Sequence, residues 1–550
     1  MVRADGGAGE YDLHWGELHK HMTGPGADLS KLDEVVGYAR QHLDVSVVQC
    51  YPFKWYRRGR EGGIREESTG YDAEFEDWWE TIQAVSERHH DPGSFVTFPA
   101  YEWNGNRTRW GDHNVYYREE GYPLDCAWEL PTLLENMGDR DAFVLPHHTA
   151  YEVGNRGKVW DVHDPDLSPV TEVYSSHGSS ESIDSPVSME MNRDMGPRTH
   201  GGTFQDALDR GHRIGAVASN DGPGLPGTWG NGVAGLWATE LTRDGIWEAL
   251  EARRTIGTTG DRISLWWSLD GHPLGSEVRE PVSRNATVDV DCPRALDRVE
   301  IVHDGDVVET YLHDDPADQS PERYRMLIEF GWGPSPEYGD FESLEASWSG
   351  SVRATGGRLT AVQPRFKGFG QEYVFTDGEC RFDLVTSRED VDGMLPELDA
   401  DRSIQGFIVE IDGDVNTDIE IALDDRDALV VSLGDVFEDD TLFSFTEESQ
   451  RRLESTFELS AEDVHNPDVV YHNARKVRCS RAVPRSACTA TVTFDDLPAT
   501  DGDDYYYVRA AQQDGQFAWA SPIWVTDGPG SPRRSESITT ADRTRTTTEK

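Results

Sequence analysis

The period of the hydrophobic positions changes partway along the chain. From Tyr11 to about Arg262, short apolar runs alternate with stretches spaced for helices. Val35, Val36 and Ala39 fall on one face of Asp33–His42. Phe75, Trp78, Trp79, Ile82 and Val85 follow the i, i+3, i+4, i+7 spacing of a buried helical stripe. Thr203–Leu208 and Gly245–Leu250 read as two more helices. Between them Val45–Val48, Phe95–Phe98, Phe143–Leu145, Val170–Tyr174 and Ile214–Ala218 read as strands. Such alternation predicts βα units around a mainly parallel sheet or barrel.

After Arg262 the helical period fades. Short segments such as Val299–Val302, Phe407–Ile411, Ala428–Leu433 and Tyr505–Arg509 sit between Asp/Gly turns, the pattern of an antiparallel, β-sandwich-like region. One helical interruption is expected over Glu447–Glu458. Alternating aromatics place Tyr505, Tyr507 and Trp524 in its core. From Asp527 onward Gly, Pro, Ser, Thr and Arg prevail without apolar periodicity, which reads as a disordered tail. The predicted organisation is therefore an α/β module over 11–262, a β-rich region over 263–526 and a tail over 527–550.

The chemistry-bearing residues of the first module recur where strands end. His19-Lys20-His21 comes early; Phe95–Phe98 leads to Glu102, with His113 shortly after; Phe143–Leu145 runs into His147-His148. Val170–Tyr174 leads to His177, and Ile214–Ala218 to Asp221. In a parallel barrel all these points share one face, where strand C-termini converge. Imidazoles and carboxylates gathered there are what a metal site requires, with an acid able to bridge two cations. Arg107 and Arg109 lie between two such residues, suited to gripping an anionic substrate. His177 ends a strand with no metal assigned to it, so it is the candidate proton donor to a leaving group.

Charge narrows the classes. The chain has 51 Lys and Arg against 102 Asp and Glu, a formal net of −51, and only 7 of the basic residues are Lys. Carboxylates in that excess suit molar salt, where the Debye length falls to about 3 Å. Hydrophobic residues at 36% and 17 Trp are enough for real cores, so the sequence reads as folded and halophile-like. A field this negative argues against nucleic-acid partners. No apolar run approaches the roughly 20 residues that cross a bilayer, and Met1–Glu10 lacks a signal-peptide core, so cytoplasmic residence is expected. The six scattered Cys read as buried thiols.

The stretch Glu17-Leu18-His19-Lys20-His21-Met22-Thr23 resembles the opening D-L-H-x-H-T motif of the PHP (polymerase and histidinol phosphatase) superfamily of metal-dependent phosphoesterases. Later pieces resemble, in order, its branch called domain-of-unknown-function family 3604. They are Pro99–Trp103, Gly111–Val115, Pro146–Thr149, Glu172–Ser175, Ala218–Asp221 and Arg253–Gly260, followed by the Tyr505–Val525 region. The resemblance implies a distorted (β/α)7 barrel with up to three metal ions. By motif, His19, His21, Glu102 and Asp221 would hold one ion. Glu102 would bridge to a second, held by His113 and by His147 or His148, with His147 preferred as nearer the strand.

Two departures concern the third position. Gln49-Cys50-Tyr51 stands where the superfamily has T-D-H, and Asp221-Gly222-Pro223 where it has D-x-H. Cys50 reads as a small buried residue, and two divalent ions (Zn, Mn or Fe) are expected. The resulting expectation is a metal-dependent hydrolase of a small anionic substrate, foremost a phosphoesterase using a metal-bridging hydroxide, with Glu102 and Asp221 essential. The alternatives are a two-metal amide or ester hydrolase and a carbohydrate- or ligand-binding protein with a structural metal.

Overall fold

The computed structural model describes residues 10–20, 29–58, 65–71, 74–189, 197–222, 226–279, 283–314, 322–368, 370–389, 402–460, 463, 467–500 and 502–526. His21, Pro223 and the stretch from 527 onward lie outside them. In chain order the first half carries β1 (Asp12–Glu17), α1 (Leu32–Ala39), β2 (Val45–Ser46), β3 (Phe53–Arg58), β4 (Arg65–Tyr71), α2 (Glu74–His89), β5 (Ala100–Trp103) and α3 (Arg107–Trp110). There follow β6 (His113–Tyr117), α4 (Leu130–Met137), β7 (Ala142–Pro146), β8 (Val170–Ser175), β9 (Gly178–Ser179), α5 (Phe204–Asp209), β10 (Gly215–Ala218), β11 (Val233–Ala238), α6 (Arg243–Glu251) and β12 (Thr255–Thr258).

The helices form where the spacing predicts them. α1 buries Leu32, Val35, Val36 and Ala39, and α2 buries Trp79, Ile82 and Val85. Thr203 and Asp206 form a reciprocal capping box that starts α5. Thr242 accepts from the Gly245 amide at the start of α6, whose Trp247 stacks on Phe143 of β7 at 3.9 Å.

The sheet is less parallel than the sequence suggests. β1 pairs parallel with β2, and β8 with β10, but β5, β6 and β7 form an antiparallel meander and β11 runs antiparallel to β1. Phe95–Phe98 is not a regular strand. The Phe95 amide turns back onto the Asp91 carbonyl, leaving Val96 a single parallel bridge to Val45. Backbone bonds still stitch neighbouring strand ends together: Glu102 N to Cys50 O, Ser176 N to Asn220 O, and Asp221 N to His19 O. The molecule is a mixed α/β protein with many strands and few helices.

One ten-stranded sheet runs through both halves, since β12 pairs with Phe517–Ala520 and β11 continues it to β1. Beyond it, a six-stranded and a five-stranded antiparallel sheet share a core. There Phe330 packs 4.9 Å from Phe382 and 5.6 Å from Phe407. The expected helical interruption is Thr446–Thr456. Tyr505, Tyr507 and Trp524 are buried, and so is Trp519, which leaves them no free face for a sugar. The fully buried Asp261 ties the halves together, accepting from Trp229, from Arg365 and from Gln512. No helix among the described residues is long and apolar enough to cross a membrane.

Candidate metal centre

The strand ends of the first half bring His19, Glu102, His147, His148, His177 and Asp221 into one buried cluster. His19 and Asp221 follow β1 and β10, His147 and His148 follow β7, and His177 follows β8. These five donors project from the first residues past a strand, and Glu102 lies within β5. Both His148 (φ 33°) and Asp221 (φ 45°) occupy the left-handed region, which non-glycine residues adopt mainly where surrounding structure imposes it.

Two groups of side chains have ligand atoms within 4.8 Å of one another: His19, His147, Glu172 and Asp221; and His148, His177 and Asp221. Asp221 belongs to both. Its Oδ1 lies 3.5 Å from His19 Nε2, and its Oδ2 lies 3.4 Å from both His147 Nδ1 and His177 Nε2. Glu102 is fully buried and approaches two members of the first group, at 3.5 Å from His19 Nε2 and 3.6 Å from His147 Nε2.

A surrounding layer fixes the rings. Glu172 Oε1 lies 2.9 Å from His19 Nδ1 and also accepts from Asn114. The Tyr151 hydroxyl lies 2.8 Å from His177 Nδ1. Arg156 meets His148 Nε2 at 2.9 Å and pairs with Asp112, which also pairs with Arg107. Glu17 accepts from the amides of His19 and Asn220, binding the β1 and β10 ends to one carboxylate.

Among the described residues neither ring nitrogen of His147 makes a hydrogen bond, nor does Nδ1 of His148. Buried imidazole nitrogens are costly to leave unsatisfied, and a cation resolves that cost. The residues present therefore fit a divalent metal: neutral nitrogens and carboxylate oxygens, with ring orientation set by outer partners.

Electrostatics follow the same geometry. Burial works against charge on His19, yet Asp221 and Glu172 raise its pKa well above the ordinary value. Burial, then neighbouring His147 and Arg156, hold His148 well below it. For Asp221 burial opposes ionisation, but His19 and His177 outweigh it and keep the carboxyl well below the usual range. Burial raises Glu17 to about 7 and lowers Lys20 to about 8 and Lys158 to about 7.

Other expected residues are placed differently. His113 lies in neither group; its Nε2 is 2.8 Å from the buried Lys158 ammonium. Arg107 is 2% exposed and committed to Asp112, while Arg109 is exposed and stacks over Trp110 at 4.3 Å. Cys50 sits in the apolar core, its thiol pushed up by burial, as a small buried residue would be. The sequence reading missed Glu172, Tyr151, Arg156 and Lys158 as parts of the site. Two signals were present: a charged residue inside the apolar run Val170–Tyr174, and lysines at 20 and 158 in a chain nearly devoid of them.

Comparison with known proteins adds the following. A 263-residue stretch is 25% identical to an uncharacterized protein of Chlamydia pneumoniae, covering 43% of this chain and 41% of the relative. An uncharacterized protein of Chlamydia trachomatis serovar D is likewise 25% identical over 259 residues. The chain thus spans about two fifths of the length of the curated relatives it matches. Among solved structures, it is similar to a two-domain protein containing a predicted PHP-like metal-dependent phosphoesterase from Bacteroides vulgatus. That likeness has 12% identity and a TM-score of 0.29, covering 77% of this chain and 96% of the other. Residues 212–268, which include β10, β11, α6 and β12, match the model of the protein family of unknown function DUF3604. Over those residues the chain is similar to the DUF3604 family.

Proposed function

We propose that the chain is a metal-dependent hydrolase, foremost a phosphoesterase, with its chemistry in residues 11–262 and residues 263–526 packed behind it. The observation that carries this reading is the pair of buried ligand groups sharing Asp221. Two divalent ions bound there, of the Zn, Mn or Fe kind, would supply Lewis-acid polarisation of a substrate oxygen and an activated water.

The chain's own residues prepare that site. Glu172, by accepting a hydrogen bond from Nδ1–H of His19, leaves Nε2 facing Glu102 and Asp221 as a lone-pair donor. Tyr151 orients His177 in the same way. We assign His177 to the second ligand group rather than to proton donation, because its Nε2 faces Asp221 beside His148. Glu17 holds the two strand ends at a fixed spacing, so the donors need not reorganise on binding. Lys20, Arg107, Arg156 and Lys158 are all buried around this cluster. Basic side chains concentrated around one site, in a chain with net charge −51, suit an anionic, phosphate-bearing substrate better than a neutral amide.

The test is hydrolysis by metal-loaded protein in molar KCl. Aryl phosphate mono- and diesters should be cleaved, and chelation should stop the reaction. Turnover confined to carboxyl esters or anilides would replace the phosphoesterase reading with the amide or ester one. No turnover of any substrate by fully loaded protein would leave a binding role.

A further inference from the structure

A cavity of about 570 Å³ lies toward the other ends of β1 and β2. Leu13 and Trp15 line it from the first half of β1, Asp44 from just before β2, and Ser94 from just before Phe95. The metal cluster instead follows the last residues of these and neighbouring strands. The opposite wall comes from the six-stranded sheet, through Val362 and Gln363 of one strand and Ile408 and Glu410 of the next. The space is thus bounded by both halves of the molecule and is of a size that encloses a small metabolite.

Its charge runs against the rest of the chain. Arg40, Arg262, Arg325 and Arg485 line it against three carboxylates, whereas the whole sequence carries twice as many acids as bases. Three of the arginines have acid partners: Arg40 has Asp91, Arg325 has Asp291 and Glu410, and Arg485 has Asp291. Arg262 has none among the described residues, and its one hydrogen bond there goes to the His42 carbonyl. Two further donors on the lining are unused among the described residues, Gln363 Nε2 and Arg485 Nε, the latter 3.9 Å from its nearest carboxylate oxygen. A half-buried guanidinium without an acid and donors without acceptors, all lining one cavity and counted among the described residues, are a set suited to an anion.

We propose that this cavity binds a small organic phosphate, of sugar-phosphate or mononucleotide size, with its oxyanion on Arg262. Arg262, Arg485 and Gln363 offer three donor groups, matching the three terminal oxygens of a phosphate monoester better than the two of a carboxylate. Trp15, Tyr373 and Ile408 supply apolar surface for the rest of the molecule. The site is independent of the metal centre and stands or falls without it.

Calorimetric titration of chelator-treated full chain, at the lowest KCl that keeps it folded, tests this. The probes are glucose 6-phosphate and adenosine monophosphate, with glucose and adenosine as neutral counterparts. Saturable binding of at least one phosphate, tenfold or more tighter than its neutral counterpart, is expected. Arg262→Gln should weaken it at least tenfold and Asp221→Asn should leave it unchanged. Gln363→Ala should weaken it several-fold, and it serves as the variant if Arg262→Gln does not fold. The proposal is overturned if neither phosphate binds the wild type, if both cavity variants bind like wild type, or if Asp221→Asn abolishes binding.

Discussion

Asp221 is where the two ligand groups meet, so single-residue changes there carry the most information. Asp221→Asn removes a donor from both groups and should abolish phosphoester turnover together with tight metal binding, read by elemental analysis after dialysis. Glu102→Gln should also abolish turnover while leaving the circular-dichroism spectrum intact. Glu172→Gln is subtler, because Glu172 acts on His19 through Nδ1. It should weaken metal affinity by about 10–100-fold, read by competition with a chelating dye. A Glu172→Gln protein with wild-type affinity would mean that His19 is oriented by other means. At this scale the sequence singled out Glu102, His147, His148 and Asp221 because each follows an apolar run, and His19 from its early His-x-His. It could not show Glu172 or Tyr151 as orienting groups, since their partners lie far away in the chain.

At the scale of elements, one buried carboxylate joins two sheets. Asp261 holds Arg365 of the six-stranded sheet and Gln512 of the ten-stranded one. Asp261→Ala leaves the Arg365 guanidinium with Asp514 alone and removes the acceptor of Gln512 and Trp229, so it should cost about 3 kcal/mol, measured as a lowered denaturation midpoint in high salt. Asp504 supplies a pH signature in the same region. Burial opposes its ionisation, but bonds from His303, Thr500 and Arg284 outweigh that and hold it well below the usual carboxylate range. A depressed folded-state pKa gives stability that is present above the unfolded value, about 3.9, and is lost as pH falls below it. Asp504→Asn should therefore flatten the fall in stability between about pH 4 and pH 2, and an unchanged acid limb would exclude this pairing as its source. The elements themselves were largely legible: helices over 32–39, 74–89, 204–209 and 243–251 follow the spacing of their apolar residues. Strand direction was not, because a two-residue period is the same in parallel and antiparallel ladders, as the β5–β7 meander demonstrates.

For the whole molecule, the dominant quantity is a net charge of −51. Self-repulsion on that scale is relieved when the Debye length shrinks, so thermal melts in dilute buffer should lie well below those in about 1 M KCl. Coincident melts would remove salt from the account of its stability. Metal content is also a whole-chain property. Protein purified in salt and gently dialysed should retain about two ions, one for each ligand group around Asp221. Three would point to ligands beyond these groups, and none after supplying Zn²⁺ and Mn²⁺ would separate the geometry from metal use.

The sequence by itself determined the local quantities: which stretches are helical or extended, where apolar runs stop and donors begin, and how acidic the surface is. Those follow from periodicity and composition, which neighbouring residues carry between them. Tertiary structure decided everything that depends on distance between remote segments. It placed His177 beside Asp221, 44 positions along the chain. It set Lys158 against His113, and left Arg262 without an acid among the described residues in a cavity walled by two halves of the molecule. A side chain's partner is fixed only when segments distant along the chain pack together, and no period along one segment encodes what another will bring to it.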